Sequence, residues 1–168
     1  IAIRGATFLN DVAADADGVV YVTDTGVKVT PKGFEGTGTD AVYRIVGTKV
    51  ESLAKGKDLG RPNGLVADAS GVWVVTFGSG ELYRIADGKR AELQKLPKGS
   101  LDGIVKTRKG LFVISSWEGE QVVQGPPGGP FALVLAKVKA PADIGYDAKR
   151  NRLLVPLFMD DAVQIVGL

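Results

Sequence analysis

One phrase recurs four times along this chain: a polar residue, two or three apolar ones, a turn, then a strongly apolar strand. The first copy reads Asn10-Asp11-Val12-Ala13-Ala14-Asp15, turns at Asp17-Gly18 and continues Val19-Val20-Tyr21-Val22-Thr23-Asp24. The second reads Asn63-Gly64-Leu65-Val66-Ala67-Asp68, turns at Ser70-Gly71 and continues Val72-Trp73-Val74-Val75-Thr76-Phe77. Asp102-Gly103-Ile104-Val105-Lys106 opens the third, whose turn at Lys109-Gly110 leads into Leu111-Phe112-Val113-Ile114-Ser115-Ser116. A looser fourth copy runs Ala142-Asp143-Ile144-Gly145-Tyr146-Asp147, turns around Lys149-Arg150-Asn151 and ends in Leu153-Leu154-Val155-Pro156-Leu157-Phe158. Self-similarity at a regular period is the signature of a repeat architecture, so it constrains the fold more than any single residue does.

Third strands follow each copy, at 41–45, 81–85, 121–124 and 162–166, and fourth strands follow the first three, at 49–53, 90–94 and 131–135. Copies two to three and three to four are spaced 39 and 40 residues apart. A four-stranded unit of about 40 residues is the length of a β-propeller blade. The fold class is therefore all-β, a propeller with four four-stranded blades, the last lacking its outer strand. Residues 1–168 read as a single domain with blades at approximately 6–56, 57–97, 98–139 and 140–168, and with residues 1–4 as a stray outer strand. The first spacing, 53 residues, is longer because of an insertion at 25–40. In an antiparallel meander that insertion overhangs the leading Asn and Asp positions. Its Lys28, Lys32 and Phe34 read as solvated loop residues, with contact to an anionic substrate as the alternative. Either four blades close on themselves or they belong to a larger ring completed by further sequence or another chain; the larger ring is the favoured reading.

Composition agrees with many short strands joined by tight turns: 23 glycines and 8 prolines punctuate runs rich in Val, Ile and Leu. A net charge of +2, from 21 basic and 19 acidic residues, leaves no one-signed field and argues against a nucleic-acid partner. No segment has the roughly 20 apolar residues of a membrane span, so no membrane partner is expected. The chain opens at Ile1 with neither an initiator Met nor the regions of a signal peptide, which reads as a piece of something longer or a processed product. It contains no His and no Cys. That excludes Ser-His and thiolate chemistry and leaves carboxylates, lysine and oxygen ligands to carry any reaction.

Asn10, Asn63 and Asp102 hold one equivalent position, at the start of the innermost strand of three consecutive blades, where side chains line a propeller's central channel. Three converging oxygen donors suit a hard divalent cation. Turn capping is the competing explanation for each residue singly, since Asx side chains favour such junctions; their shared register argues against it. Asp143 lies one residue past the leading position, where strand alternation turns a side chain away, and is not counted as a ligand. At the far end of the second strands, Asp24, Phe77, Ser116, Trp117 and Phe158, together with Asp11, are the expected substrate-pocket residues, with interblade packing as the alternative for the aromatics. The stretch Pro126-Pro127-Gly128-Gly129-Pro130 reads as a rigid turn.

These motifs resemble the calcium-dependent six-bladed propellers of the senescence-marker-protein (regucalcin) and gluconolactonase group. Phe8-Leu9-Asn10-Asp11, Arg61-Pro62-Asn63-Gly64-Leu65 and Leu101-Asp102-Gly103-Ile104 are similar to that family's three successive metal-site segments, in order and about one blade apart. Tyr21-Val22-Thr23-Asp24 is similar to its second-strand phrase. The resemblance covers the whole chain but only about four of six blades, and the family's fourth ligand, a glutamate from an N-terminal blade, has no counterpart here. It implies a metal site of Asn10, Asn63 and Asp102, with calcium favoured and magnesium, manganese or zinc as alternatives. It further implies Asp102 as the catalytic base or nucleophile, and hydrolysis of lactones or related esters. Bacterial relatives often carry an export signal, which points to an extracytoplasmic location. The rival expectation is a non-catalytic propeller that binds a ligand or a protein, because one fold hosts many functions.

Overall fold

The computed structural model describes residues 1–168. Each repeat folds because its apolar positions alternate while its turn residues reverse the chain. Gly18 and Gly110, at φ 77° and 76°, occupy the left-handed region, and an added Cβ would meet nothing within 4 Å. Glycine is needed there by backbone conformation rather than by crowding.

The first sheet contains β1 (Leu9–Ala14), β2 (Val20–Asp24), β5 (Ala41–Val46) and β6 (Lys49–Lys55) in that order. The second contains β7 (Pro62–Asp68), β8 (Gly71–Thr76), β9 (Glu81–Ala86) and β10 (Lys89–Lys95). β11 (Leu101–Lys106), β12 (Phe112–Ser116), β13 (Gln121–Gly125) and β14 (Ala132–Ala136) make the third. The fourth has only β15 (Gly145–Asp147), β16 (Arg152–Leu157) and β17 (Ala162–Gly167). All four are antiparallel meanders arranged as the blades of a β-propeller. Ile1–Ile3, expected as a stray outer strand, lies outside every sheet. The insertion is more ordered than a solvated loop: β3 (Val27–Thr30) and β4 (Gly33–Gly36) pair as a hairpin of their own.

Three apolar cores lie between blades rather than within them. Val42 and Ala54 of the first sheet pack with Leu65, Val74 and Tyr83 of the second. Trp73, Val75 and Leu82 pack with Leu101, Ile104, Phe112 and Ile114. Val113 and Val122 pack with Ile144, Leu153 and Val155. Each fully buried Leu, Val or Phe contributes about 1.5–3 kcal/mol, so blade stacking is what holds the chain together.

A hydroxyl relay adds direction to two of these interfaces. The N–H of Asp11 donates to Thr23 Oγ1 (3.0 Å), which donates to the carbonyl of Asn63 in the next blade (2.6 Å). The N–H of Gly103 donates to Ser115 Oγ (2.8 Å), which donates to the carbonyl of Ala142 (2.9 Å). In the second blade Val75 pairs in the same register and carries no hydroxyl, so that interface lacks the relay and is crossed instead by Lys106 Nζ donating to Asp68 (2.6 Å) and Gln94 Nε2 donating to the carbonyl of Gly129 (2.7 Å).

Register exposes what the fourth blade leaves uncovered. Val42, Leu82 and Val122 pair opposite Thr23, Val75 and Ser115, and all three are 0% exposed against the following blade. Val163, the equivalent residue opposite Pro156, is 61% exposed.

Candidate functional site

The inner strands β1, β7 and β11 each carry a register shift at the same place, between Leu9 and Val12, Pro62 and Leu65, and Leu101 and Ile104. Asn10-Asp11, Asn63-Gly64 and Asp102-Gly103 are the irregular residues. A bulge suspends strand alternation and re-aims side chains. The leading residue of each pair therefore turns into the channel, while the next faces the neighbouring blade. A Cβ added at Gly64 would stand 2.3 Å from the carbonyl oxygen of Asp102, and one at Gly103 2.4 Å from the nitrogen of Ile144.

The mouth of the channel is a second repeated device. One residue beyond each second strand, the backbone N–H donates to the residue two before the leading position: Thr25 to Phe8, Phe77 to Arg61, Trp117 to Ser100, and Phe158 to Ala140, at 2.9–3.2 Å. Arg61, Ser100 and Ala140 all take positive φ, at 60°, 49° and 43°. The same backbone frame thus carries different side chains in different blades.

Between these devices lies a half-enclosed cavity of about 270 Å³. Asn10, Asn63, Asp102 and Asp143 line it, with Arg61 at one side. Its walls are mostly apolar. Phe77, Trp117 and Phe158 form a continuous arc, with Phe77 edge-on to Trp117 at 5.5 Å and Trp117 tilted against Phe158 at 5.2 Å. On the other side Phe34 of the hairpin meets Phe8 edge-on at 5.9 Å, so the insertion reaches the cavity.

All three expected metal ligands converge here. Asn10 Nδ2 donates to Thr25 Oγ1 at 3.0 Å, which leaves its amide oxygen for the cavity. Asn63 is 5% exposed and its side chain has no protein hydrogen-bond partner. Asp102 is buried, and its carboxyl is pushed up to about 7, first by burial and then by the nearby charge of Asp143. The buried indole N–H of Trp117 forms no complete hydrogen bond, yet lies close enough to favour the ionised form of Asp102. Asp143 is raised to about 6, by burial of its carboxyl and then by Asp11.

Of the expected pocket residues, Phe77, Trp117 and Phe158 line the cavity, whereas Asp11, Asp24 and Ser116 do not. Asp24 is fully buried and accepts the N–H groups of Phe8 (2.9 Å), Gly26 (3.0 Å) and Thr7 (3.1 Å), which pins the chain entry and the start of the hairpin. Asp11 accepts the N–H of Leu65 at 2.7 Å and braces the first two blades. Ser116 donates to the carbonyl of Gly99 at 2.7 Å and accepts from Gly119 at 3.0 Å.

Asp143 corrects the alternation argument. It lines the cavity beside Asp102, because β15 begins only at Gly145 and the preceding residues form just an isolated bridge, Pro141 to Leu157. Without a regular strand there is no two-residue period to turn it away. Arg61 was also missed; the signal was that the position two before each leading residue holds Phe8, Arg61, Ser100 and Ala140, only one of them charged.

The donor set is oxygen throughout: two amides and two carboxylates. That fits a hard divalent cation in its chemistry, and the buried, charge-crowded Asp102 is the group such an ion would relieve. Groups of three or more carboxylates with metal-binding placement are absent. No helix is long and apolar enough to cross a membrane.

No protein-family model matches the chain, and no curated protein matches it in sequence. Solved structures do. A gluconolactonase from Xanthomonas campestris superposes with a TM-score of 0.68 at 21% identity, over 92% of this chain and 56% of its own. A luciferin-regenerating enzyme superposes with a TM-score of 0.68 at 16% identity, over 95% of this chain and 61% of its own. A chain of the nidogen/laminin complex gives 0.72 at 18% identity, over 95% of this chain and 60% of its own. This chain therefore spans less than two thirds of the length of each of these three structures. The gluconolactonase and the luciferin-regenerating enzyme belong to the regucalcin-like propeller family whose motifs the sequence resembles, and the likeness to them is a likeness of fold.

Proposed function

We propose that the cavity is the active site of a metal-dependent hydrolase of lactones or related esters. The observation that carries this reading is Asp102: a buried carboxyl, raised to about 7, set among amide oxygens at the end of an aromatic-walled cavity. In the ion-free cavity such a group keeps its proton up to near neutral pH, and a bound divalent cation would favour the carboxylate form that a general base requires. Asn10, Asn63 and Asp102 would hold a divalent cation, calcium favoured, which when bound supplies polarisation of the substrate carbonyl.

The chain's own groups account for the rest. Asp102 would take a proton from the attacking water as the water oxygen bonds the carbonyl carbon, and return that proton to the leaving alkoxide as the ester C–O bond breaks. The indole N–H of Trp117, buried close to Asp102, favours the ionised form of that carboxyl. Phe77, Trp117 and Phe158 stack on the substrate's apolar face and thin the water around it, which strengthens each polar contact. Asp143 places a second carboxylate near the first and keeps the Asp102 proton exchangeable.

The deciding test is turnover of a panel of sugar lactones and simple esters in the presence of Ca²⁺, with Asp102→Asn as control. Turnover that falls by at least about 100-fold in the variant and disappears with chelator supports the reading. No turnover of any member by the folded, calcium-supplemented protein sinks it. The second reading, a non-catalytic binding propeller, draws on the fold shared with a chain of the nidogen/laminin complex. It expects no turnover and no effect of Asp102→Asn on ligand capture.

A further inference from the structure

Most polar side chains of the cavity are already engaged, whereas its aromatic rings are not. Seven of its 13 lining residues are hydrophobic, and five of those are Phe8, Phe34, Phe77, Trp117 and Phe158. Phe158 is 63% exposed and Phe34 is 50% exposed, although each touches another ring. They come from different elements, the last blade and the inserted hairpin, yet line one cavity. Apolar surface left open toward a shared concavity marks a place where a ligand is bound.

The blade mouths show that these rings are not there to build the scaffold. Phe77, Trp117 and Phe158 stand at one equivalent position, and the first blade carries Thr25 there while its backbone makes the same hydrogen bond. The frame therefore does not demand a ring. Where the first blade lacks one, Phe34 of the hairpin lines the cavity in its place.

The polar side chains offer a substrate little. The Thr25 hydroxyl donates to the carbonyl of Pro62 at 2.8 Å and accepts from Asn10 Nδ2 at 3.0 Å. Arg61 runs beside two glycines of the adjoining groove, where an added Cβ at Gly78 would stand 2.9 Å from its Cδ and one at Gly36 3.3 Å from its Nη2. Asp102 and the amide oxygens of Asn10 and Asn63 belong to the cation in the hydrolase reading. Among the lining side chains, the Asn63 amide N–H groups and the Asp143 carboxyl are what remain for a substrate.

We propose that the cavity takes lactones or esters bearing an alkyl chain or an aryl ring and selects them over polyhydroxylated ones. This rests on the hydrolase reading and names its substrate class. An apolar substituent gains by leaving water for the aromatic wall. A hydroxyl moved there loses its water and finds no partner. Sugar rings also stack on aromatic faces, but their hydroxyls need hydrogen-bonding groups around the rim, and here those groups are engaged elsewhere.

The test compares wild type, Phe158→Thr and Phe34→Thr on two six-membered lactones, δ-decalactone with its alkyl chain and glucono-δ-lactone with its hydroxyls. Phe158→Thr copies the residue the first blade carries, so it guards against misfolding, which circular dichroism would report. Wild type is expected to favour δ-decalactone in kcat/KM by at least about tenfold, and that ratio should fall about tenfold in both variants, mainly through KM. A wild type that favours glucono-δ-lactone, or a ratio unchanged in both variants, overturns the proposal and leaves the hydrolase reading standing. In parallel, binding of 4-phenyl-2-butanone and of myo-inositol is measured by calorimetry on chelator-treated protein. Phenylbutanone binding that weakens at least about tenfold in both variants, with no inositol binding, supports the apolar site even if neither lactone is turned over, in which case the hydrolase reading alone falls. Inositol binding without phenylbutanone binding overturns the apolar assignment.

Discussion

Asp143 and Asp102 come from consecutive blades and face one cavity, and the charge of Asp143, after burial, is what raises the Asp102 carboxyl. Two neighbouring carboxyls in an aromatic-walled cavity cannot both ionise cheaply without a counter-cation.

The sign of the resulting pH dependence follows. Asp102 moves from an unfolded value near 3.8 to about 7. Between those limits the folded protein retains a proton that the unfolded chain has lost. Stability is therefore greatest below the unfolded value and declines as pH rises through about 7. In chelator, the melting temperature is expected to be lower at pH 8 than at pH 5.5, and Asp102→Asn should flatten the difference. A melting temperature that rises over this range contradicts the assignment. Added Ca²⁺ should recover the loss at pH 8 in wild type and not in the variant.

The brace between the first two blades makes a second expectation. Asp11→Ala leaves the N–H of Leu65 without its carboxylate partner at a part-buried site. A buried donor left unpaired costs about 1–3 kcal/mol. Urea unfolding should register a loss of that size, and a loss under about 0.5 kcal/mol would mean that water replaces the carboxylate.

Gly64 tests the blade contact directly. Gly64→Ala places a methyl 2.3 Å from the carbonyl oxygen of Asp102, and backbone on the far side leaves it nowhere to go. Overpacking of this kind costs about 1–3 kcal/mol, and the displacement falls on Asp102 itself. Both stability and cation binding should weaken. Gly167→Ala, where nothing lies within 4 Å, is the control expected to do neither.

Val122 and Val163 are equivalent in register but opposite in environment, at 0% and 61% exposure. Val122→Lys forces an ammonium into an interblade core and is expected to abolish cooperative folding. Val163→Lys should change stability by no more than about 0.5 kcal/mol, read by thermal melting. A large loss from Val163→Lys would show that this face is covered in solution.

The repeat was legible because a period of about 40 residues and a two-residue alternation are both written in side-chain polarity. That Asn10, Asn63 and Asp102 line one cavity was legible for the same reason: they share a register. Exceptions to periodicity were what the sequence concealed. Asp143 defeats alternation because its segment is not a strand. Asp24 and Ser116 stand where pocket residues were expected, but their polar atoms are consumed by backbone groups, a partnership that only folding reveals. The hairpin was hidden because Lys28, Lys32 and the glycines of the insertion read as loop chemistry, although β3 and β4 pair over four residues each.

The hydrogen bond at each blade mouth has one further implication. Thr25, Phe77, Trp117 and Phe158 donate it through the backbone, and Phe8, Arg61, Ser100 and Ala140 accept it through theirs. Thr25 also donates its hydroxyl to the carbonyl of Pro62 at 2.8 Å, but the other seven side chains around the opening are released from any duty in building the turn. Substitution at these positions can alter what the opening admits without altering the scaffold, so ligand preference in this architecture is free to drift one blade at a time.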